Sequence, residues 1–207
     1  MNTQKAYNAW SATYDSDENR TRYLDQVVTE KTLANSRYNS ILEIGCGTGK
    51  NTYLLAQIGE RVHAIDFSEG MISLARKNVK SSNVTFSLAD LTRPWHYDNA
   101  SADLVVCNLV LEHVEDLAFI FSEASRVLTS GGHFFICELH PFRQYQGTQA
   151  NFQTAHKTIE IQAFVHHISD FLDAAESSGF RLKEFKEWWH ETDQNKPPRL
   201  ISFMLKK

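Results

Sequence analysis

Short apolar runs and amphipathic stretches alternate along most of the chain. The apolar runs are bounded by glycines or polar turns, which predicts buried strands at residues 41–44, 61–66, 84–88, 102–108 and 133–139. Apolar residues at helical spacing predict helices at residues 48–58, 68–79 and 114–128. This alternation is typical of a doubly wound, mostly parallel α/β sheet of seven strands with helices on both faces.

The final quarter of the chain has a different pattern. Residues 140–158 are polar and aromatic with little periodicity, so we expect an irregular segment that lies over a ligand site. Helical spacing resumes at residues 165–177 and stops at Gly179. Residues 180–189 and 200–205 then predict two strands that form a C-terminal antiparallel hairpin and complete the sheet.

Composition sets modest bounds on the class of protein. The chain has 207 residues, of which 42% are hydrophobic and 22% charged, enough for one sizeable core in a single domain. The net charge of −4 disfavours nucleic acid and anionic membranes as partners. No apolar run approaches the roughly 20 residues of a membrane span, and the polar start lacks a signal-peptide core. We expect a cytoplasmic monomer or homodimer.

The three cysteines, Cys46, Cys107 and Cys137, lie far apart in or beside apolar runs. Their odd number and wide spacing indicate neither a disulfide framework nor a zinc site. We therefore expect small buried hydrophobic residues and no bound metal.

Three alternating glycines connect the first predicted strand to the helix after it. Gly45, Gly47 and Gly49 can adopt positive φ, and the helix start offers free N–H groups to a carboxylate, ribose or phosphate. The dinucleotide fingerprint needs its third glycine one residue later, where this chain has Lys50, and the P-loop spacing is also absent. Glu43 is an acid inside the apolar strand, so it needs a partner and suits a cationic ligand.

Acidic residues come directly after the next two strands. Asp66 ends the second strand 21 residues after Gly45, where a carboxylate can accept both hydroxyl hydrogen bonds of a ribose, or else cap the next helix. Asp90 comes after the third strand, where it can accept from a purine amine or cap the next turn. Because strand ends share one edge of a parallel sheet, these two acids bracket an adenosine there.

Five motifs in order carry a resemblance to a known family. They are E-x-G-x-G-x-G at 43–49, Asp66-Phe67-Ser68 with Met71, Ala89-Asp90-Leu91, the stretch from Asp103 to Glu112, and Arg126-Val127-Leu128 before Gly131-Gly132. Over residues 5–140 the chain resembles class I S-adenosylmethionine-dependent methyltransferases, of the small single-domain kind called type 11.

The resemblance implies a role for each motif residue. The glycine loop would pack against the methionine moiety, Asp66 would hold the ribose, and Asp90 with Leu91 would read the adenine edge. Phe67 and Met71 would flank the adenine, and Asn108 and Leu109 would line the methyl-donor end. An N-terminal aromatic segment of Tyr7, Trp10 and Tyr14 would close over the cofactor, unless these are ordinary core aromatics. The full set expected to bind S-adenosylmethionine and its product S-adenosylhomocysteine is Tyr14, Glu43, Gly45, Cys46, Gly47, Gly49, Asp66, Phe67, Met71, Asp90, Leu91, Asn108 and Leu109.

On this basis we divide one methyltransferase domain, residues 1–207, into four parts. They are an N-terminal helical cap at 1–35, a cofactor-binding core at 36–139, an irregular substrate-side segment at 140–165, and a final helix with sheet-closing strands at 166–207.

Methyl transfer by in-line displacement mainly needs an aligned acceptor, with a base only if an alcohol or phenol must lose its proton. His140, His166 and His167 are the base candidates, and for each the alternative is a structural hydrogen bond. Of His166 and His167, we expect one to face inward and the other solvent. Arg143 and Tyr145 could bind a carboxylate or phosphate of the substrate, although a solvated charge is the alternative for Arg143.

Residues just after the fourth strand narrow the substrate class. Enzymes that methylate amino groups of nucleic-acid bases usually carry Asn/Asp-Pro-Pro-aromatic there, whereas residues 108–111 are Asn-Leu-Val-Leu. With no basic arm either, we expect a small-molecule acceptor, with oxygen favoured over nitrogen because of the histidines. Two alternatives stay open: a non-catalytic S-adenosylmethionine sensor or regulatory protein, and a nicotinamide-dependent oxidoreductase.

Overall fold

The computed structural model describes residues 2–153 and 157–207. Its helices are α1 (Thr3–Trp10), α2 (Arg20–Leu33), α3 (Lys50–Ile58), α4 (Glu69–Asn78), α5 (Leu117–Val127), α6 (Pro141–Tyr145) and α7 (Ile168–Ser177). Its strands are β1 (Tyr38–Ile44), β2 (Gly59–Asp66), β3 (Val84–Leu88), β4 (Ala102–Asn108), β5 (Leu128–Leu139), β6 (Asn151–Gln153), β7 (Thr158–Glu160), β8 (Arg181–Trp188) and β9 (Leu200–Lys206). Among these described residues, no helix has both the length and the apolar character needed to cross a membrane.

Seven of the strands form one sheet in the order β3-β2-β1-β4-β5-β9-β8. Neighbours from β3 to β5 pair in parallel, whereas β9 runs antiparallel to both β5 and β8. The predicted doubly wound sheet with a C-terminal antiparallel hairpin is therefore confirmed. The chain order of the strands reverses between β1 and β4, and ligands of such sheets bind beyond the strand ends at this switch point.

The central strands are apolar at successive positions because helices cover both faces of the sheet. On β4, Val105 packs in a core with Phe121 of α5, while its neighbour Leu104 packs in a second core with Val28 of α2 and Leu55 of α3. A strand buried on both faces reads as a continuous apolar run, which explains why β1 and β4 were predicted so directly.

Three predicted helix starts are two or three residues early, each because of a cap. The helix predicted from residue 165 begins at Ile168, where Asp170 accepts from the amide of the N-cap residue His167. Gly49 takes the left-handed conformation at φ 87° and occupies the N-cap of α3, so that helix begins at Lys50 instead of Thr48. The helix predicted from Val114 begins at Leu117, because the Asp116 side chain caps it by accepting from the amide of Phe119.

The segment predicted to be irregular, residues 140–165, contains regular structure. It includes the short helix α6 and the antiparallel pair of β6 and β7, while residues 154–156 lie outside the described part of the chain. Phe152 of β6 stacks on Trp10 of α1, with ring centroids 5.4 Å apart and planes 12° apart. The β6 and β7 pair is therefore held against the N-terminal helix. The local pattern of apolar residues could not predict this contact, because the two segments lie far apart in sequence.

Candidate active site

In the glycine turn after β1, the first glycine is tightly packed and the second faces open space. Gly45 has φ 74°, and a Cβ there would collide with Cγ2 of Val110, so a side chain is excluded. Gly47 has φ 54°, but a Cβ there would meet nothing within 4 Å. The first glycine therefore allows close packing, and the second leaves room for a ligand to approach the backbone.

Asp66 joins this turn to the start of α4. Its Oδ2 accepts from the amide of Gly47 at 2.9 Å and its Oδ1 from the amide of Ser68 at 2.8 Å. Burial raises the pKa of Asp66 to about 6, and the backbone hydrogen bonds oppose that rise. Each carboxylate oxygen retains acceptor capacity, which suits the two hydroxyl groups of a ribose.

One cavity lies at the switch point and brings most of the predicted cofactor residues together. Those that line it are Tyr14, Glu43, Gly45, Cys46, Gly47, Asp66, Phe67, Met71, Asp90, Leu91, Asn108 and Leu109. Gly49 is not part of the lining, and its tightest neighbour is Val79, from which a Cβ would be 3.0 Å away. Asp90 also caps the next turn, which was the alternative to binding a purine amine. Its Oδ1 accepts from the amide and hydroxyl of Thr92.

Glu43, the acid inside β1, has the partner that its burial demands. The hydroxyl of Thr52 on α3 donates to Glu43 Oε2. Burial raises the pKa of Glu43 to about 8, with this hydrogen bond opposing the rise. At neutral pH the carboxyl is therefore mostly protonated, and a cation bound beside it would favour the ionised form.

The cavity is also lined by residues to which the sequence motifs gave no role, among them Arg22, Asp25, Asn51 and His113. Asp25 of α2 accepts from the side-chain amides of Asn51 and Asn108, and burial raises its pKa to about 6. The amide oxygens of both asparagines are buried and have no hydrogen-bond partner among the described residues. Unpaired buried acceptors beside carboxyl groups fit a ligand that carries an ammonium and a sulfonium, as S-adenosylmethionine does.

His113 forms a hydrogen-bonded pair with Tyr7 of the N-terminal helix. The Nδ1 of His113 lies 2.8 Å from the carbonyl oxygen of Gln162, which can only accept, so Nδ1 carries the hydrogen. Nε2 is then the acceptor for the Tyr7 hydroxyl at 2.8 Å. Burial lowers the pKa of His113, which keeps the imidazole neutral at neutral pH. The ring of Tyr7 also lies 5.9 Å from that of Phe67, so α1 extends over the cofactor motif after β2.

A second cavity of about 450 Å³ adjoins the first. The residues that the two cavities share are Tyr7, Tyr14, Arg22 and Leu109. The rest of the second wall comes from Trp10, Asp17, Glu18, Asn19, Thr21, Glu112, Leu139 and residues 148–153. It therefore adjoins the side where Leu109 and Asn108 were expected to line the methyl-donor end.

The three histidines predicted as bases are not among the residues that line either cavity. His140 caps α6 by accepting from the amide of Phe142 at 3.1 Å, and its Nε2 lies 2.9 Å from the Glu187 carboxylate. His166 is buried and donates to the carbonyl oxygen of Val114 at 2.7 Å. His167 is exposed, so one of these two faces inward and one faces solvent, as predicted. For all three, the structural hydrogen bond is the role that the contacts support.

Arg143 and Tyr145, predicted to bind substrate, likewise do not line either cavity. Arg143 lies 3.1 Å from the buried carboxylate of Asp193 and donates to the carbonyl oxygen of Pro197 at 2.8 Å. The hydroxyl of Tyr145 lies 2.6 Å from Nδ1 of His167. Arg143 is therefore neither a solvated charge nor a free anion site, since its guanidinium binds Asp193 and Pro197 in the loop before β9.

Within residues 2–153 and 157–207, no three histidine, cysteine, aspartate or glutamate side chains are grouped so that they could hold a metal ion. The three cysteines are free and buried, as the sequence predicted.

Comparisons with known proteins agree with this geometry. Residues 42–136 match a family described as a methyltransferase domain. The ubiquinone biosynthesis O-methyltransferase of Xanthomonas oryzae is 32% identical over 74% of this chain and 63% of its own length. The demethylmenaquinone methyltransferase of Tropheryma whipplei is 26% identical over 86% of this chain and 68% of its own length.

Solved structures share the fold at lower identity. The N-methyltransferase NodS of Bradyrhizobium japonicum, in complex with S-adenosylhomocysteine, superimposes with a TM-score of 0.75 at 17% identity, over 100% of this chain and 99% of its own. An S-adenosylmethionine-dependent methyltransferase of Mesorhizobium loti gives a TM-score of 0.72 at 21% identity, over 87% of this chain and 96% of its own.

The sheet, the glycine turn and the acid-lined cavity define a Rossmann-like methyltransferase fold, for which the likenesses support S-adenosylmethionine as the cofactor. Together with these likenesses they support a class I S-adenosylmethionine-dependent methyltransferase, and an enzyme of that class.

Proposed function

We propose that the protein methylates a small-molecule acceptor, at oxygen rather than nitrogen, and that the acceptor occupies the second cavity. The observation that carries this proposal is that the two cavities meet at Tyr7, Tyr14 and Leu109. An acceptor held there is next to the expected methyl-donor end, and alignment supplies much of the rate enhancement for such a displacement. When bound, S-adenosylmethionine supplies a sulfonium-activated methyl group whose leaving group is a neutral thioether.

The Tyr7 and His113 pair can take the proton of an acceptor hydroxyl. That proton passes to Oη of Tyr7 while the phenolic proton of Tyr7 moves to Nε2 of His113. The acceptor O–H bond and the S–CH3 bond break, an O–CH3 bond forms, and the proton ends on a histidine held by the Gln162 carbonyl. Burial raises the pKa of Tyr7 well above its usual value, so Tyr7 acts as a relay and not as a standing phenolate.

Three further points support this assignment. Oxygen methylation is the activity in the name of the ubiquinone biosynthesis relative, which aligns over 63% of its own length. The small-molecule class is supported by the net charge of −4 and by the lack of a basic arm in the sequence. The neutral imidazole of His113 is the form that can accept a proton.

The test is turnover of a panel of phenols, aliphatic alcohols, carboxylic acids and amines with radiolabelled S-adenosylmethionine, on the wild type and on His113→Gln. We expect transfer to a hydroxyl acceptor, and a decrease of about 100-fold in kcat in the variant, a typical contribution of a general base. Binding of S-adenosylhomocysteine should stay within about 3-fold of wild type. His140→Gln is the matched control, because His140 lies outside both cavities.

If His113→Gln methylated the hydroxyl acceptor at the wild-type rate, that result would contradict the proton relay through Tyr7 and His113. Transfer to amines alone would overturn the preference for oxygen.

A further inference from the structure

Glu112 is a buried carboxyl that the methyl-transfer chemistry above does not use. It lies in the 3-10 turn after β4, between Leu111 and His113, and its side chain is 8% exposed. Its Oε2 has no hydrogen-bond partner in the described part of the chain. Buried polar atoms are nearly always paired, and leaving one unpaired is unfavourable, so this oxygen indicates a missing donor.

Glu112 is part of the wall of the second cavity, which is where a ligand could supply that donor. Burial raises the pKa of Glu112 to about 7, and the amide of Gln144 acts in the opposite direction. The carboxyl is therefore partly ionised at neutral pH and can accept from a hydroxyl or from a protonated amine.

Glu112 also lies beside the pair that would take the proton of the acceptor. Its Oε1 is 3.7 Å from Nε2 of His113, and that nitrogen accepts from Tyr7. The Glu112 carboxylate and the Tyr7 hydroxyl oxygen both lie next to this nitrogen, so they can accept from two donors on adjacent carbon atoms of one ligand. Tyr7 and Tyr14 contribute aromatic side chains to the same wall, which suits a flat ring.

We propose that Glu112 binds a second hydrogen-bond donor of the acceptor, located on the atom adjacent to the group that is methylated. The acceptor class is then a ring or chain with two neighbouring donors, either two hydroxyls or a hydroxyl and an amine. This inference rests on the proposed function, since it places the acceptor in the second cavity.

The experiment is calorimetric titration of the protein saturated with S-adenosylhomocysteine, using catechol and 2-aminophenol as two-donor probes and phenol as the one-donor probe. We expect the wild type to bind the two-donor probes about 10-fold more tightly than phenol, the effect of one hydrogen bond to a charged group. In Glu112→Met, which keeps the side-chain length and removes both oxygens, the preference should fall below about 3-fold.

Glu115→Gln is the matched control, because Glu115 is an exposed carboxyl three residues away that lines neither cavity. It should keep the wild-type preference. If Glu112→Met no longer binds S-adenosylhomocysteine, Glu112→Gln takes its place, and the preference should again fall.

The inference is overturned if the preference persists in the Glu112 variant, if the wild type shows none, or if neither two-donor probe binds at millimolar concentration. Turnover is measured separately with the same probes. A Glu112-dependent preference without methyl transfer would support the binding site and count against the proposed function, so the two failures are distinguishable.

Discussion

At the scale of single residues, Asp66 links the glycine turn, α4 and the cavity. We predict that Asp66→Asn weakens S-adenosylhomocysteine binding by about 10- to 100-fold, because an amide cannot accept from Gly47, Ser68 and two ribose hydroxyls together. Calorimetric titration measures the change, and Asp98→Asn at an exposed turn is the control. An unchanged affinity would show that the carboxylate does not contact the ribose.

The buried Glu43 makes stability depend on pH. Its pKa is raised from 4.5 to about 8, so the folded protein favours the protonated form. The resulting stability is fully present below about pH 4.5 and is lost as the pH rises towards 8. The Glu43→Gln variant does not lose stability in this way, because its side chain does not titrate. We predict that the unfolding free energy of wild type, relative to the variant, falls by a few kcal/mol between pH 5 and pH 9.

Urea unfolding at both pH values gives this difference. Glu60→Gln, an exposed carboxyl at the start of β2, should show no comparable change relative to wild type. A Glu43→Gln difference that stays constant with pH would contradict the prediction.

Residues whose positions are set locally were predictable from the sequence, and residues positioned by distant contacts were not. Gly45 and Asp66 lie at the strand ends where the pattern placed them. Asp25 is hydrogen-bonded to Asn108, 83 positions away in sequence, and His113 is hydrogen-bonded to Tyr7, 106 positions away. His140 lies at the predicted strand end, but its ring caps α6 and pairs with Glu187, contacts that match the structural alternative to a base.

At the scale of elements, α1 depends on the β6 and β7 pair. We predict that Phe152→Ala lowers stability by about 3 kcal/mol and increases amide hydrogen exchange in residues 3–10, because the ring stacked on Trp10 is lost. Exchange in β4 should not change. Phe185→Ala, at a half-exposed site on β8, is the control. Protected α1 amides in Phe152→Ala would show that α1 is held by other contacts.

The same contact explains which elements could be predicted. The central strands and their helices carry enough apolar periodicity to be located within a few residues. The strands β6 and β7 have three residues each, and Phe152 is the buried position on β6. So short a pattern does not separate a strand from a loop, and the partner that stabilises it lies near the start of the chain.

At the scale of the whole molecule, ligand binding should discriminate between nucleotide cofactors. S-Adenosylhomocysteine at 100 times its Kd should stabilise the protein by about 2.7 kcal/mol, and NAD should give no response. Gly45→Ala should lose the response, because its Cβ would collide with Val110. Thermal unfolding with each ligand measures this, and Gly147→Ala at an open loop position is the control for a positive-φ glycine. Stabilisation by NAD alone would contradict the cofactor assignment.

Most of the wall of the second cavity comes from residues 7–22 and 148–153, and neither stretch belongs to the large sheet. Mutations in these stretches leave β1, β2 and the glycine turn intact. We therefore expect descendants of one ancestral gene to exchange one acceptor for another by altering these two short stretches, while the sheet edge and the residues shared with the first cavity, Tyr7, Tyr14 and Arg22, are inherited unchanged.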